Sequence, residues 1–166
     1  MNHFSIERKD AFRMIGFGTR LEGSAGIHSP MFSGQKTAFF KNALDNGQMA
    51  GLRPYAESPY GYAAVILREE QPYYYAGVVS SQPAPETAEE IIFPAGDYLI
   101  LSGSGGLSRL AFDRLEDQAF DKVLTEKSDY AYAATPIAEV LLNGNPADAE
   151  AQIWVPVHRR SGKESG

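Results

Sequence analysis

One order of elements occurs twice along this 166-residue chain: strand, helix, strand, strand. Neither copy is long enough to bury a core by itself, and that constrains the fold more than any single motif. In the first copy, residues 5–20 read as a long or bent strand punctuated by Gly16 and Gly18. Ser29-Pro30 then has the form of an N-cap followed by proline at the first helical position. Phe32, Ala38, Phe39, Phe40, Ala43 and Leu44 make a broad apolar face, and Asp45-Asn46-Gly47 ends the helix. Residues 60–67 and 73–79 are rich in aromatic and β-branched side chains and are predicted to pair as a hairpin.

After a proline-rich connector at 80–86 the order begins again. A strand over 91–101 is interrupted by Pro94-Ala95-Gly96, and the turn 102–106 leads into a helix predicted from Ser108 to about Thr125. Ala111, Phe112, Leu115, Ala119 and Val123 form its inward stripe. Asp113, Arg114, Glu116, Asp117, Asp121 and Lys122 read as its solvated face. Strands near 137–142 and 151–158, separated by the turn Asn143-Gly144-Asn145-Pro146, complete the second copy. The expected fold is α+β: two pseudo-symmetric modules, about 1–80 and 87–160, joined in one curved antiparallel sheet with both helices on one face. The other sheet face is expected to be free to curve around a ligand, and residues 161–166 read as a flexible tail.

The two copies also align residue by residue. Ala63-Ala64-Val65-Ile66-Leu67 reads against Ala138-Glu139-Val140-Leu141-Leu142, and Tyr75-Ala76-Gly77-Val78 against Trp154-Val155-Pro156-Val157. Glu139 thus stands where the first copy has Ala64, and Trp154 stands where it has Tyr75. A carboxylate in an apolar strand, with aromatics nearby, suits a pocket for a flat or cationic small molecule. The plainer reading keeps Glu139 as a polar residue on a solvated sheet face.

Composition excludes several classes. A net charge of -6, with local basic character only at Arg159-Arg160-Ser161-Gly162-Lys163, argues against nucleic acid as a direct partner. The chain has no cysteine, so disulfides and thiolate metal sites are absent. His3, His28 and His158 lack metal-binding spacing, and nothing marks an axial haem ligand, so no metal or cofactor is expected. No segment approaches the roughly 20 apolar residues of a membrane span, and no secretory signal opens the chain, so the expected location is the cytoplasm. Gly34-Gln35-Lys36-Thr37 misses the spacing of a phosphate-binding loop.

The segments Ile6-Glu7-Arg8-Lys9-Asp10-Ala11-Phe12-Arg13-Met14-Ile15-Gly16, Tyr74-Tyr75-Ala76-Gly77-Val78, Phe93-Pro94-Ala95-Gly96-Asp97-Tyr98, Ala138-Glu139-Val140 and Ile153-Trp154-Val155-Pro156-Val157 resemble, in order, the GyrI-like small-molecule-binding domain. This is the bacterial transcription-activator effector-binding domain of the SOUL and effector-binding superfamily. The resemblance implies a groove between modules that takes hydrophobic or cationic compounds, with Glu139 as the acid that recognises cations and Trp154 beside it. Tyr75, Tyr98 and Phe112 complete the expected ligand-binding set. Regulators of this kind carry a DNA-binding region before the domain, whereas here the first domain strand begins near Met1, so a stand-alone ligand-binding protein is expected. Two alternatives accompany that reading. One is a hydrolase of cyclopropane-type electrophiles, with Glu139 as general base at a raised pKa. The other is an interaction protein like the family's namesake, whose partner would be a regulator or DNA gyrase. Oligomeric state is not readable from the sequence.

Overall fold

The computed structural model describes residues 3–22, 32–57, 60–69, 71–86, 88–124, 128–133, 136–143 and 147–159. The stretch expected to be one bent strand is two, β1 (His3–Lys9) and β2 (Phe12–Arg20), and the break at Asp10-Ala11 organises the whole sheet. The first module continues with α1 (Ser33–Asp45), α2 (Gln48–Leu52), β3 (Gly61–Arg68) and β4 (Gln71–Val79). The second contains β5 (Glu89–Phe93), β6 (Gly96–Ser104), α3 (Ser108–Gln118), β7 (Tyr130–Tyr132), β8 (Ile137–Leu141) and β9 (Glu150–Arg159). The second helix is shorter than expected as an α-helix, because Ala119–Val123 widens into a π-type turn. The short β7 was not anticipated, since three residues carry too little pattern to be read. The expected cap at Ser29-Pro30 and the tail lie outside the described residues.

All nine strands join one antiparallel sheet in the order β1-β6-β9-β8-β3-β4-β2-β5, with β7 also on β9. The modules meet at β3 and β8, and each gives its first strand to the other: β1 pairs with β6 and β5 with β2. The connections force curvature. Lys9 belongs to the first strand of the sheet path and Phe12 to the next-to-last, yet three Cα steps span at most about 11 Å. The Pro94-Ala95 link between β5 and β6 imposes the same closure. Phe12 therefore lies against Trp154 and Tyr98, at ring-centroid distances of 5.7 and 6.2 Å, although several strands separate them along the sheet.

Curling gives each face its own core. Toward the helices, Val65, Tyr74, Leu99, Ile153 and Val155 pack with Phe32, Phe112 and Leu115. On the other face, Met14, Tyr62, Tyr75, Phe93, Tyr98 and Trp154 fill the interior, with Phe12 stacked on Phe93 at 4.5 Å. Such ring pairs contribute about 0.5–1.5 kcal/mol beyond the area they bury. The face expected to be open to a ligand is thus closed by aromatic side chains. Both α1 and α3 lie on the remaining face, as expected, and no helix among the described residues is long and apolar enough to cross a membrane.

Two local features hold this geometry. Gly47, with φ 84°, follows α1 in the left-handed region that glycine adopts without a Cβ clash. Gly16 and Gly77 face each other across β2 and β4, where a Cβ on Gly77 would sit 1.9 Å from the Ile15 carbonyl oxygen. Gly77→Ala should therefore destabilise the fold by about 2–3 kcal/mol through backbone displacement. Gly51→Ala, in open space on α2, should be neutral or stabilising by up to about 1 kcal/mol. Equilibrium urea denaturation of the two variants tests this, and equal stabilities would contradict it.

Candidate functional site

The site begins with one strand position. Strand β8 is buried over its whole length, and within it Ile137, Glu139 and Leu141 point toward the helices while Ala138 and Val140 point the other way. Glu139 pairs across the seam with Ala63, whose small side chain faces the helices too. The alignment that matched Glu139 with Ala64 is therefore corrected: Ala64 belongs to the opposite face, and a one-residue slip exchanges the faces of a strand.

A buried carboxylate requires partners, and the helices supply them from positions on their apolar stripes. Phe32 just before α1, with Lys36 and Ala43 on it, forms a buried line with a lysine in its middle; on α3 Arg109, Phe112 and Glu116 follow helical spacing. Arg109 donates to both Glu139 oxygens, Nη1 to Oε1 at 2.9 Å and Nη2 to Oε2 at 2.6 Å. The Tyr74 hydroxyl donates to Oε1 at 3.0 Å, and Lys36 Nζ lies 3.6 Å from Oε2. Arg109 also donates through Nε to Asp113 at 2.9 Å, and its guanidinium lies 5.5 Å from the Phe112 ring centre. Lys36 Nζ reaches Glu116 at 3.8 Å, so Lys36 sits between two carboxyl groups.

These contacts set the protonation states. Burial pushes Glu139 upward, but the Arg109 guanidinium, followed by the Lys36 ammonium, outweighs it and holds the carboxyl well below the usual carboxylate range. Of the two expectations for this buried acid, a raised pKa or a hydroxyl partner such as a neighbouring tyrosine, the second is found in Tyr74 and the first is corrected, because the chain provides its own counter-charges. Glu116 behaves oppositely. Burial and then the charge of Glu139 lift it well above the ordinary value, and among the described residues neither of its oxygens has a hydrogen-bond partner. The Glu116 position, expected on a solvated face, is in fact interior.

Above this cluster a groove of about 890 Å³ opens between α1, α3 and the seam strands, within the range of small-molecule sites. Phe40, Tyr74, Leu107, Leu110 and Phe112 supply apolar walls, and Lys36, Arg109 and Glu139 line it as well. Of the residues expected to bind ligand, Glu139 and Phe112 meet here. Tyr75, Tyr98 and Trp154 lie in the aromatic core behind the sheet. The Tyr75 ring lies against Gly18 and its hydroxyl donates to Glu89 at 3.1 Å. The Tyr98 hydroxyl, its pKa pushed up to about 12 by burial, donates to the Pro94 carbonyl at 2.7 Å. Trp154 Nε1 donates to Gln152, and Lys9 Nζ sits 4.1 Å from its ring centre. Sequence reasoning missed Lys36 and Arg109 as site residues; the available signal was charge on otherwise apolar helical stripes.

Comparison with known proteins agrees with this architecture. The family model described as Cass2, integron-associated effector binding protein, matches residues 5–157, and the chain belongs to that family. The fold is similar to that of SAV2435 bound to tetraphenylphosphonium (TM-score 0.69, 13% identity, covering 94% of each chain). It is similar also to a putative bacterial transcription regulation protein from Staphylococcus aureus MU50 (TM-score 0.71, 12% identity, covering 93% of this chain and 97% of that one). A third is the integron cassette protein VCH_CASS2 from the mobile metagenome of Vibrio cholerae (TM-score 0.56, 14% identity, covering 93% and 95%). No curated protein sequence matches.

The two buried glutamates give opposite pH dependences. The raised Glu116 makes a contribution to stability that is present below its unfolded value, near 4.5, and is lost as pH rises through its folded value. The depressed Glu139 makes one that is present above 4.5 and lost as pH falls through its folded value. Glu116→Gln, which imitates the protonated acid, should gain stability relative to the parent protein as pH rises from about 5 to 9. Urea denaturation across that range checks this, and a difference independent of pH would contradict it.

Proposed function

We propose that this protein binds hydrophobic, cationic small molecules in the groove between α1 and α3, with Glu139 at its floor. The observation that carries the reading is a buried carboxylate, flanked by Tyr74 and Phe112, beneath a large and mainly apolar groove. Aromatic walls attract a cation by about 0.5–2 kcal/mol for each well-placed face, and the carboxylate supplies the charge that a neutral ligand cannot use. The resemblance to the GyrI-like domain and the tetraphenylphosphonium bound to the similarly folded SAV2435 support the same ligand class. Binding would serve sequestration of the compound, or sensing through a protein partner. A buried ion cluster is a weak source of stability compared with apolar packing, which favours a ligand-related role for these charges. The hydrolase alternative fits the geometry less well. A general base needs a free lone pair and a pKa near working pH, whereas Glu139 is doubly held by Arg109 and strongly acidic.

Titration calorimetry with tetraphenylphosphonium and the neutral triphenylphosphine oxide tests the proposal. Thr37→Trp, at an exposed groove position on α1, should weaken both ligands by about tenfold or more, because it fills the volume they need. Glu139→Gln should weaken the cation more than the neutral compound, by about tenfold in the ratio of affinities. An unaffected pair of affinities in Thr37→Trp would place the site elsewhere, and equal losses in Glu139→Gln would remove charge recognition.

A further inference from the structure

We propose that Arg109 is the chain's own occupant of the cation subsite, and that a cationic ligand replaces it on Glu139 while the guanidinium remains on Asp113. The inference rests on the reading of the groove as a cation-binding site and adds how that site is held closed. The Arg109 guanidinium is a flat cation beside the Phe112 ring, and it shares Glu139 Oε1 with the Tyr74 hydroxyl. It thus uses the carboxylate, the ring and the planar geometry that a flat organic cation would use.

Its position suits exchange. Arg109 is the second residue of α3 and its side chain retains 12% exposure, whereas Lys36 and Glu116 retain 1% and Glu139 none. Within the cluster, then, the guanidinium stands between Glu139 and the open groove. Asp113, one helical turn further on and 19% exposed, already holds it through Nε at 2.9 Å and Nη2 at 2.8 Å. Rotation of the side chain toward the groove mouth therefore gives up Glu139 without leaving the arginine unpaired. Lys36, 3.8 Å from Glu116 and 3.6 Å from Glu139 Oε2, remains as the second cationic neighbour of Glu139 and does not replace the two hydrogen bonds of the guanidinium. Glu139 would lose two strong hydrogen bonds and one of its two cationic neighbours; an entering cation restores the charge, and a neutral molecule does not.

The arginine thereby acts as a tethered competitor. It lowers the affinity for every cation by the fraction of molecules in which it occupies Glu139. Only ligands with enough apolar contact to the groove walls overcome it. The test is titration calorimetry of the full chain with tetraphenylphosphonium and triphenylphosphine oxide, comparing the ratio of their affinities in the parent protein, Arg109→Met, Asp113→Asn and Glu139→Gln. Arg109→Met keeps the apolar stem and should shift the ratio toward the cation by about tenfold or more. Asp113→Asn removes the alternative resting place and should shift it away from the cation by about threefold or more; it carries the test if Arg109→Met does not fold. An unchanged ratio in Arg109→Met, or a shift toward the neutral ligand, with Glu139→Gln still selectively weakening the cation, would overturn the competitor role and leave the cation reading standing. An unchanged ratio in Glu139→Gln would remove that reading, and the inference with it.

Discussion

A carboxylate buried at the seam of two modules is the constraint from which the site follows. Glu139 sits on a strand with no solvent-exposed face, so its charge must be met from within the chain. The partners come from different elements: Arg109 from α3, Lys36 from α1 and the Tyr74 hydroxyl from β4. Each occupies a place that an apolar residue would ordinarily fill. Two charges on helical stripes and one tyrosine on a half-turn of strand alternation thus tie both helices to the middle of the sheet. Glu116 is buried beside Glu139, and burial first, then the charge of Glu139, lifts its carboxyl well above the ordinary value.

Curvature determines which sheet face is filled and which keeps a groove. The Asp10-Ala11 and Pro94-Ala95 links bring opposite ends of the sheet path together, and the enclosed space is filled by Phe12, Tyr62, Phe93, Tyr98 and Trp154. The helix face is different. Ala63 and Glu139 are paired at the seam, and the groove opens above them, lined by α1 and α3. The polar floor and apolar walls therefore arise from the same packing that closes the other side.

Much of the architecture was legible in the sequence because both modules repeat the same order of elements with clear helical and strand periodicity. The end of α1 at Asp45-Asn46-Gly47, the β3–β4 hairpin and the helix beginning at Ser108 are found where expected. The exchange of β1 and β5 between modules was not legible, since periodicity identifies a strand without naming its neighbour. The site was read in part. Glu139 stood out as an acid in an apolar strand, whereas Lys36 and Glu116 resembled ordinary helix charges until their positions on the buried stripes were known. Face assignment depended on register: Tyr75 and Trp154 share one face, Tyr74 and Glu139 the other, and a one-residue offset in the internal alignment joined residues that point in opposite directions.

The central claim is that ligand enters on the helix face, above Glu139. A crystal structure of the protein with tetraphenylphosphonium tests it most directly. The account predicts the cation between α1 and α3, beside Phe112, with its charge centre within about 6 Å of the Glu139 carboxylate. Density for the ligand behind the sheet, among Phe93, Tyr98 and Trp154, would contradict it.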